Sequence, residues 1–185
     1  MKKHLVLILG LTIFLSACEE QDITNPTPAE VAQEEVTEIL IDDAKGQGHS
    51  TKAGTGINFS IGYNRQVLLI SRRGDYTESL RIGFTGIEDS RCPINARCIT
   101  PGSAITQLSF TDASGSNTVP MCIGNCFELD RPFDNEAKQR MEDQIVFELN
   151  NVNYVLILKD VTPYQEIGVP TVESDYAVQM QIKAL

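Results

Sequence analysis

An all-β fold, an antiparallel β-sandwich of the immunoglobulin-like or a similar kind, is what this sequence predicts for residues 57–185. Two observations lead there. Apolar residues recur with period two almost throughout, the pattern of strands that bury one face. The alternating runs are short, and clusters of Gly, Asn, Asp, Ser and Pro separate them. Together they indicate about seven to eight short strands, with a barrel as the runner-up arrangement.

Taken in order, residues 66–70 form the first candidate strand. Leu80, Ile82 and Phe84 then alternate with Arg81, Gly83 and Thr85 in a strand reading over 80–87. Ala104, Thr106, Leu108 and Phe110 share one face of the next, and residues 119–123 continue the pattern. Ile145, Phe147 and Leu149 share a face. Residues 152–158 are apolar on both faces except at Asn153, as expected of a strand central to a sheet. Tyr176, Val178, Met180 and Ile182 close the set, alternating with Ala177, Gln179, Gln181 and Lys183. Residues 135–142 are charged and read as a surface turn or short helix. No internal repeat is present.

The N-terminus has a different grammar. Lys2 and Lys3 precede an apolar run over 5–15, broken only by Gly10 and Thr12, and Ser16 and Ala17 follow. The run is shorter than the ~20 residues of a spanning helix and matches an export signal over residues 1–17. Its ending, Leu15-Ser16-Ala17-Cys18, resembles the lipobox of bacterial lipoproteins. That resemblance implies cleavage before Cys18 and acylation of Cys18, hence a lipid anchor. Residues 19–56 hold nine acidic and two basic residues and end in a Gly-rich run, a composition that cannot build a core. With Cys18 they read as a flexible acidic tether, 18–56, whose 38 flexible residues after Cys18 would span about 35 Å. Within it, residues 29–41 carry Val31, Val36, Ile39 and Leu40 and could form a short helix or strand. Glu19, Glu20 and Asp22 resemble the surface-export signal of Bacteroidota lipoproteins. The expected location is the cell envelope, as an outer-membrane lipoprotein facing the periplasm or the cell surface.

Charge narrows the partners. Lys and Arg number 15 against 25 Asp and Glu, a formal −10, and removal of Lys2 and Lys3 with the signal leaves 13 − 25 = −12. So acidic a chain is unsuited to nucleic acid or anionic lipid surfaces. The membrane link is expected to be the lipid anchor only, with a protein or glycan partner in the envelope.

Five cysteines are an odd number for an oxidising compartment. Assigning Cys18 to the lipid leaves Cys92, Cys98, Cys122 and Cys126. Three pairings are formally open. The local one, Cys92 with Cys98 and Cys122 with Cys126, is preferred because both pairs sit in turn-rich sequence; Cys92–Cys126 with Cys98–Cys122 is the rival that would bring the two turns together. Zinc is disfavoured, since neither pair is C-x-x-C and no histidine is near. No metal and no cofactor are expected.

The densest stretch runs from Asp89 through Ser90, Arg91, Cys92 and Pro93 to Arg97, Cys98 and Gly102. Asp89 can accept backbone N–H groups of the following turn. Arg91 offers a rigid five-donor fork suited to a carboxylate or to loop carbonyls. An internal Asp89–Arg91 brace is the leading reading; a cationic knob of Arg91 and Arg97, able to clamp an acidic partner, is the functional alternative. The pattern Asp89-Ser90-Arg91-Cys92-Pro93, four residues, Cys98, then Gly102-x-Ala104 resembles a motif of small bacterial exported proteins, many of them Bacteroidota-like lipoproteins. Where that family often carries a Trp after the second cysteine, Thr100-Pro101 stands here. The resemblance implies a β-sandwich and brings no established activity.

Catalytic chemistry finds little footing. His49 is the one histidine left after the signal, and it lies outside 57–185, which excludes a histidine general base in that region. No Gly-x-Ser-x-Gly elbow exists. The carboxylate groupings are Glu88 with Asp89, Asp130 with Asp134 and Glu136, and Glu142 with Asp143. A calcium site on Asp130, Asp134 and Glu136 matches no EF-hand-like loop. The sequence therefore points to a binding or interaction module with no catalytic residues and a candidate binding loop at Asp89, Arg91 and Arg97. A protease inhibitor presenting a disulfide-locked loop is the first alternative, and a carboxylate-based envelope hydrolase the second.

Overall fold

The computed structural model describes residues 36–42, 56–127, 129 and 139–185. Nine strands are seen among them: β1 (Thr37–Asp42), β2 (Ile57–Gly62), β3 (Gln66–Arg73), β4 (Tyr76–Asp89), β5 (Ser103–Asp112), β6 (Gly115–Gly124), β7 (Asp143–Leu149), β8 (Val152–Thr162) and β9 (Ala177–Ala184). They form a five-stranded sheet in the order β1-β3-β4-β5-β6 and a four-stranded sheet in the order β2-β9-β8-β7. All pairings are antiparallel except that of β1 with β3, which is parallel.

The inner faces are the alternating residues of the sequence. Val67 and Leu69 of β3, Leu80, Ile82 and Phe84 of β4, Ala104 and Leu108 of β5, and Met121 and Ile123 of β6 meet Leu149, Tyr154, Leu156, Leu158, Val178, Met180 and Ile182 of the other sheet in one core cluster. Phe147 stacks on Tyr154, with ring centroids 5.8 Å apart. β8 lies inside its sheet, and Tyr154 to Leu158 are buried on both faces, as a central strand requires. On the outer face of the larger sheet, Ile105, Cys122 and Cys126 make a second small cluster.

The all-β, antiparallel-dominated sandwich is the expected one, and three details differ. Nine strands are seen among the described residues, since Ile57, Phe59 and Ile61 form β2, whose antiparallel partner is β9. β1 falls inside the stretch expected as tether, because Ile39 and Ile41 reach the core when Thr37 to Asp42 add to the edge of β3. Of the expected helix or turn at 135–142, residues 139–142 are extended or bent, with Arg140 bridging Gly124, and 135–138 lie outside the described residues. The expected signal over 1–17, Cys18, and the carboxylates Asp130, Asp134 and Glu136 lie outside them as well.

The two ends of the sandwich differ in their connections. One end has two-residue hairpins at Gly74-Asp75, Ala113-Ser114 and Asn150-Asn151, where Gly74 and both asparagines take positive φ. The other end has the long loops, 90–102 between β4 and β5 and 163–176 between β8 and β9. Among the described connections, both long loops thus lie at one end of the sandwich.

Candidate binding tip

Loop 90–102 leaves β4 and returns to β5 as a continuation of the ladder. The N–H of Ser90 donates to the Ser103 carbonyl and that of Cys92 to the Pro101 carbonyl, each at 2.8 Å. Gly102 makes the return possible. It sits at φ +70, and a Cβ there would lie 1.9 Å from the Ser90 carbonyl oxygen. Beyond Cys92 a tight turn closes with the Ala96 N–H on the Pro93 carbonyl, and the Cys92–Cys98 disulfide joins the legs. Cys122–Cys126 is the second local disulfide, lying over Ile105. The local connectivity is the one formed.

Asp89 and Arg91 lie together as a brace. Arg91 Nε and Nη2 donate to the two Asp89 oxygens at 2.9 and 2.7 Å, the paired-fork geometry of an arginine on a carboxylate. Its backbone N–H donates to Asp89 Oδ1 as well. The fork does more than bind Asp89: Nη1 donates to the Val161 carbonyl at 2.7 Å and Nη2 to the Pro163 carbonyl at 2.9 Å. Arg91 thereby fastens the first loop to the start of the second. Only 7 % of Arg91 and 2 % of the Asp89 side chain meet solvent, so the pair is structural and not a contact surface. The guanidinium lies over the Tyr164 ring, 4.3 Å from its centroid.

Other groups complete the knot. Tyr176 Oη donates to Asp89 Oδ2, and Gln165 Nε2 donates to the Asp89 carbonyl. Burial alone would push the Arg91 guanidinium down, but the hydrogen bond and charge of Asp89 prevail and hold it above its ordinary value. The hydrogen bond that Tyr164 gives Asp160 raises the Tyr164 phenol, and burial adds to that. Burial raises the Tyr176 phenol, and the charge of Asp89 reinforces it.

The second loop is tied further out. The Ile94 N–H donates to the Gln165 carbonyl, and Asn95 Oδ1 accepts from the Ile167 N–H at 2.8 Å. Residues 166–169 form a turn with the Val169 N–H on the Glu166 carbonyl and Gly168 at φ +85. The two loops thus make one tip. On it Ile94, Ile99, Tyr164, Ile167, Val169 and Val172 face solvent, six of the twelve large hydrophobics exposed among the described residues. Arg97 is exposed beside them. So the sequence motif divides: Asp89 and Arg91 point inward, Arg97 outward.

Among the described residues, the Glu88–Asp89 and Glu142–Asp143 groupings do not converge into a hydrolytic pair. Asp89 is held by Arg91 while Glu88, on the opposite face of β4, is exposed. Asp143 is buried against Arg140 and accepts the Cys122 N–H, whereas Glu142 pairs with Lys159 at the surface. Among the described residues no group of three His, Cys, Asp or Glu is placed to hold a metal ion.

Sequence reasoning did not find the second loop's share. Gln165 and Asn95 act through backbone groups of a distant segment, Tyr176 reaches the Asp89 carboxylate from far along the chain, and the Arg91 acceptors Val161 and Pro163 are carbonyls, which no side-chain pattern announces. The one available signal was the solvent-facing run Ile167-Gly168-Val169-Pro170, apolar residues set among turn formers. No family model, curated protein or solved structure matches this chain.

Proposed function

We propose that this protein is a lipid-anchored envelope binding module whose recognition surface is the two-loop tip. The observation that carries the reading is the concentration of exposed aliphatic side chains, with Arg97, on loops held by a buried ion pair, a disulfide and cross-loop hydrogen bonds. Exposed apolar side chains grouped on a fixed backbone are the mark of an interaction site. A fixed backbone also loses little entropy on docking. The anchor rests on Leu15-Ser16-Ala17-Cys18 and its flanking run.

The test is site-specific photo-crosslinking in intact cells, with the probe at Arg97 or Ile167 and a control at Val146 on the outer face of β7. Adducts at the two tip positions and not at Val146 are expected. Equal yields at all three, or none, would remove the tip as the recognition surface.

One observation favours a second reading, a protease inhibitor: Arg97 is exposed inside the Cys92–Cys98 loop, where a protease with an acidic specificity pocket could receive it. Trypsin separates the two. An inhibitor would block it stoichiometrically and stay intact between Arg97 and Cys98, whereas a binding module of another kind leaves its activity unchanged.

A further inference from the structure

The topology fixes where the chain enters the domain. β1 begins at Thr37 opposite Val67, one residue into β3, and the turn 63–65 that leads into β3 follows Gly62, whose partner on β9 is Ala177. Thr37 therefore lies beside the turn 63–65, level in the larger sheet with Val67 and Ile82, midway along β4 and seven residues short of Asp89. Between Cys18 and Thr37 there are only 18 residues, 19–36, which reach at most about 65 Å even when fully extended. An acyl group on Cys18 would thus keep the domain within reach of a bilayer, close enough for the exposed Ile and Val side chains of the tip to meet it.

The tip's chemistry suits that neighbour. Residues 167–172, Ile-Gly-Val-Pro-Thr-Val, carry no charge. Of the exposed acids of the loop, Glu166 flanks this run in the turn 166–169 and bonds Asn95, while Glu173, accepting from Tyr63, and Asp175, accepting the Val172 N–H, lie toward the base. Two turns at the tip are internally bonded, the Val169 N–H on the Glu166 carbonyl and the Ala96 N–H on the Pro93 carbonyl, so those groups need no water on entering the headgroup layer. Arg97 is the one exposed cation of the two loops and has the donors for a phosphate.

Resting on the lipid-anchored reading above, we infer that the tip's partner is the bilayer itself. Ile94, Ile99, Ile167, Val169 and Val172 enter the boundary between headgroups and acyl chains, and Arg97 bonds a lipid phosphate. Because the processed chain carries −12, this contact favours zwitterionic over anionic lipid. It adds a second membrane contact to the lipid anchor and sets the domain tip-down on the surface.

The experiment uses residues 18–185 with Cys18→Ser, which keeps the whole core but has no acyl group. The chain contains no Trp, so Ile167→Trp gives a single clean fluorophore, with Val146→Trp as control. Zwitterionic phosphatidylethanolamine–phosphatidylcholine vesicles should shift the emission of Ile167→Trp to the blue and leave Val146→Trp unmoved. In flotation, the double variant Ile167→Asp/Val169→Asp should lose at least about tenfold in vesicle binding at unchanged melting temperature. No blue shift at 167, or an equal one at 146, overturns the inference. So does binding that needs anionic lipid and disappears in salt while the Asp variant still binds. Tip-specific crosslinks to an envelope protein, with no vesicle response, would leave the recognition surface standing and remove the bilayer as its partner.

Discussion

Removing the Arg91 side chain tests the brace most directly. Arg91→Ala leaves the Asp89 carboxylate, whose side chain is 2 % exposed, without its counter-ion. It also strips the Val161 and Pro163 carbonyls of their guanidinium donors and unroofs the Tyr164 ring. Breaking a buried ion pair from one side costs about 3–5 kcal/mol. For a domain of this size each kcal/mol moves the melting temperature by about 3 °C, so a drop of roughly 10–15 °C is expected. Thermal melts and urea unfolding at unchanged m-value would measure it. A cycle with Asp89→Ala and the double variant should give a coupling of about 1–3 kcal/mol, because the two losses remove one interaction. A loss below about 1 kcal/mol, the value of an exposed pair, would refute the account of a buried, tip-fastening brace. Arg97→Ala supplies the contrast: an exposed side chain away from such features, it should change stability by no more than about 0.5 kcal/mol.

Gly102→Ala forces a Cβ against the Ser90 carbonyl at positive φ; it should destabilise by at least about 2 kcal/mol in the same melts, whereas Gly74→Ala, where nothing lies near, should lose less. Replacing Cys92 and Cys98 with Ser removes a short loop closure and should lower stability by about 2 kcal/mol in denaturant titrations. Tyr164 and Tyr176 titrate above the ordinary 10.0. The folded state therefore holds these phenol protons more tightly than the unfolded chain. Their contribution is complete below about pH 10 and lost as pH rises through the raised values; alkaline melts should show this, and Tyr176→Phe should lessen the decline. Cys18→Ala should abolish acyl labelling and release the protein from the membrane fraction; retained label would overturn the anchor.

Seven strands were legible because half-buried strands write their burial as alternation, and Leu80, Ile82 and Phe84 or Val178, Met180 and Ile182 do so over enough residues to stand out. β2 alternates as well, at Ile57, Phe59 and Ile61, but three apolar positions beside a Gly-rich run do not distinguish a strand from a loop end. β1 was harder. Its Ile39 and Ile41 sit in an acidic stretch, and only the edge of β3 makes them core residues. Parallel pairing across a long connection leaves no local mark. Of the site, the Asp89–Arg91 brace was readable, since an Asx residue and an arginine two apart can meet within one turn. Its acceptors on residues 161–163 were not, because a carbonyl is present at every position. The buried Arg140–Asp143 pair escaped for the related reason that charged residues near a loop read as solvated.

Arg91 and Arg97 stand six residues apart on one loop and take opposite orientations, and the tip explains the division. A loop whose aliphatic side chains face solvent has no apolar burial of its own to hold it. The Ile94, Ile99, Ile167 and Val169 side chains that would ordinarily pin two loops are turned outward. Something else has to fix the backbone, and backbone carbonyls are the groups that both loops still present inward. An arginine satisfies several of them at once: its fork reaches Val161 and Pro163 on one side while Asp89 neutralises its charge on the other. Lysine, a single ammonium, could not span those acceptors. The buried charge under the tip and the exposed hydrophobics on it are then consequences of one arrangement: polar groups hold the loops while the apolar side chains stay at the surface.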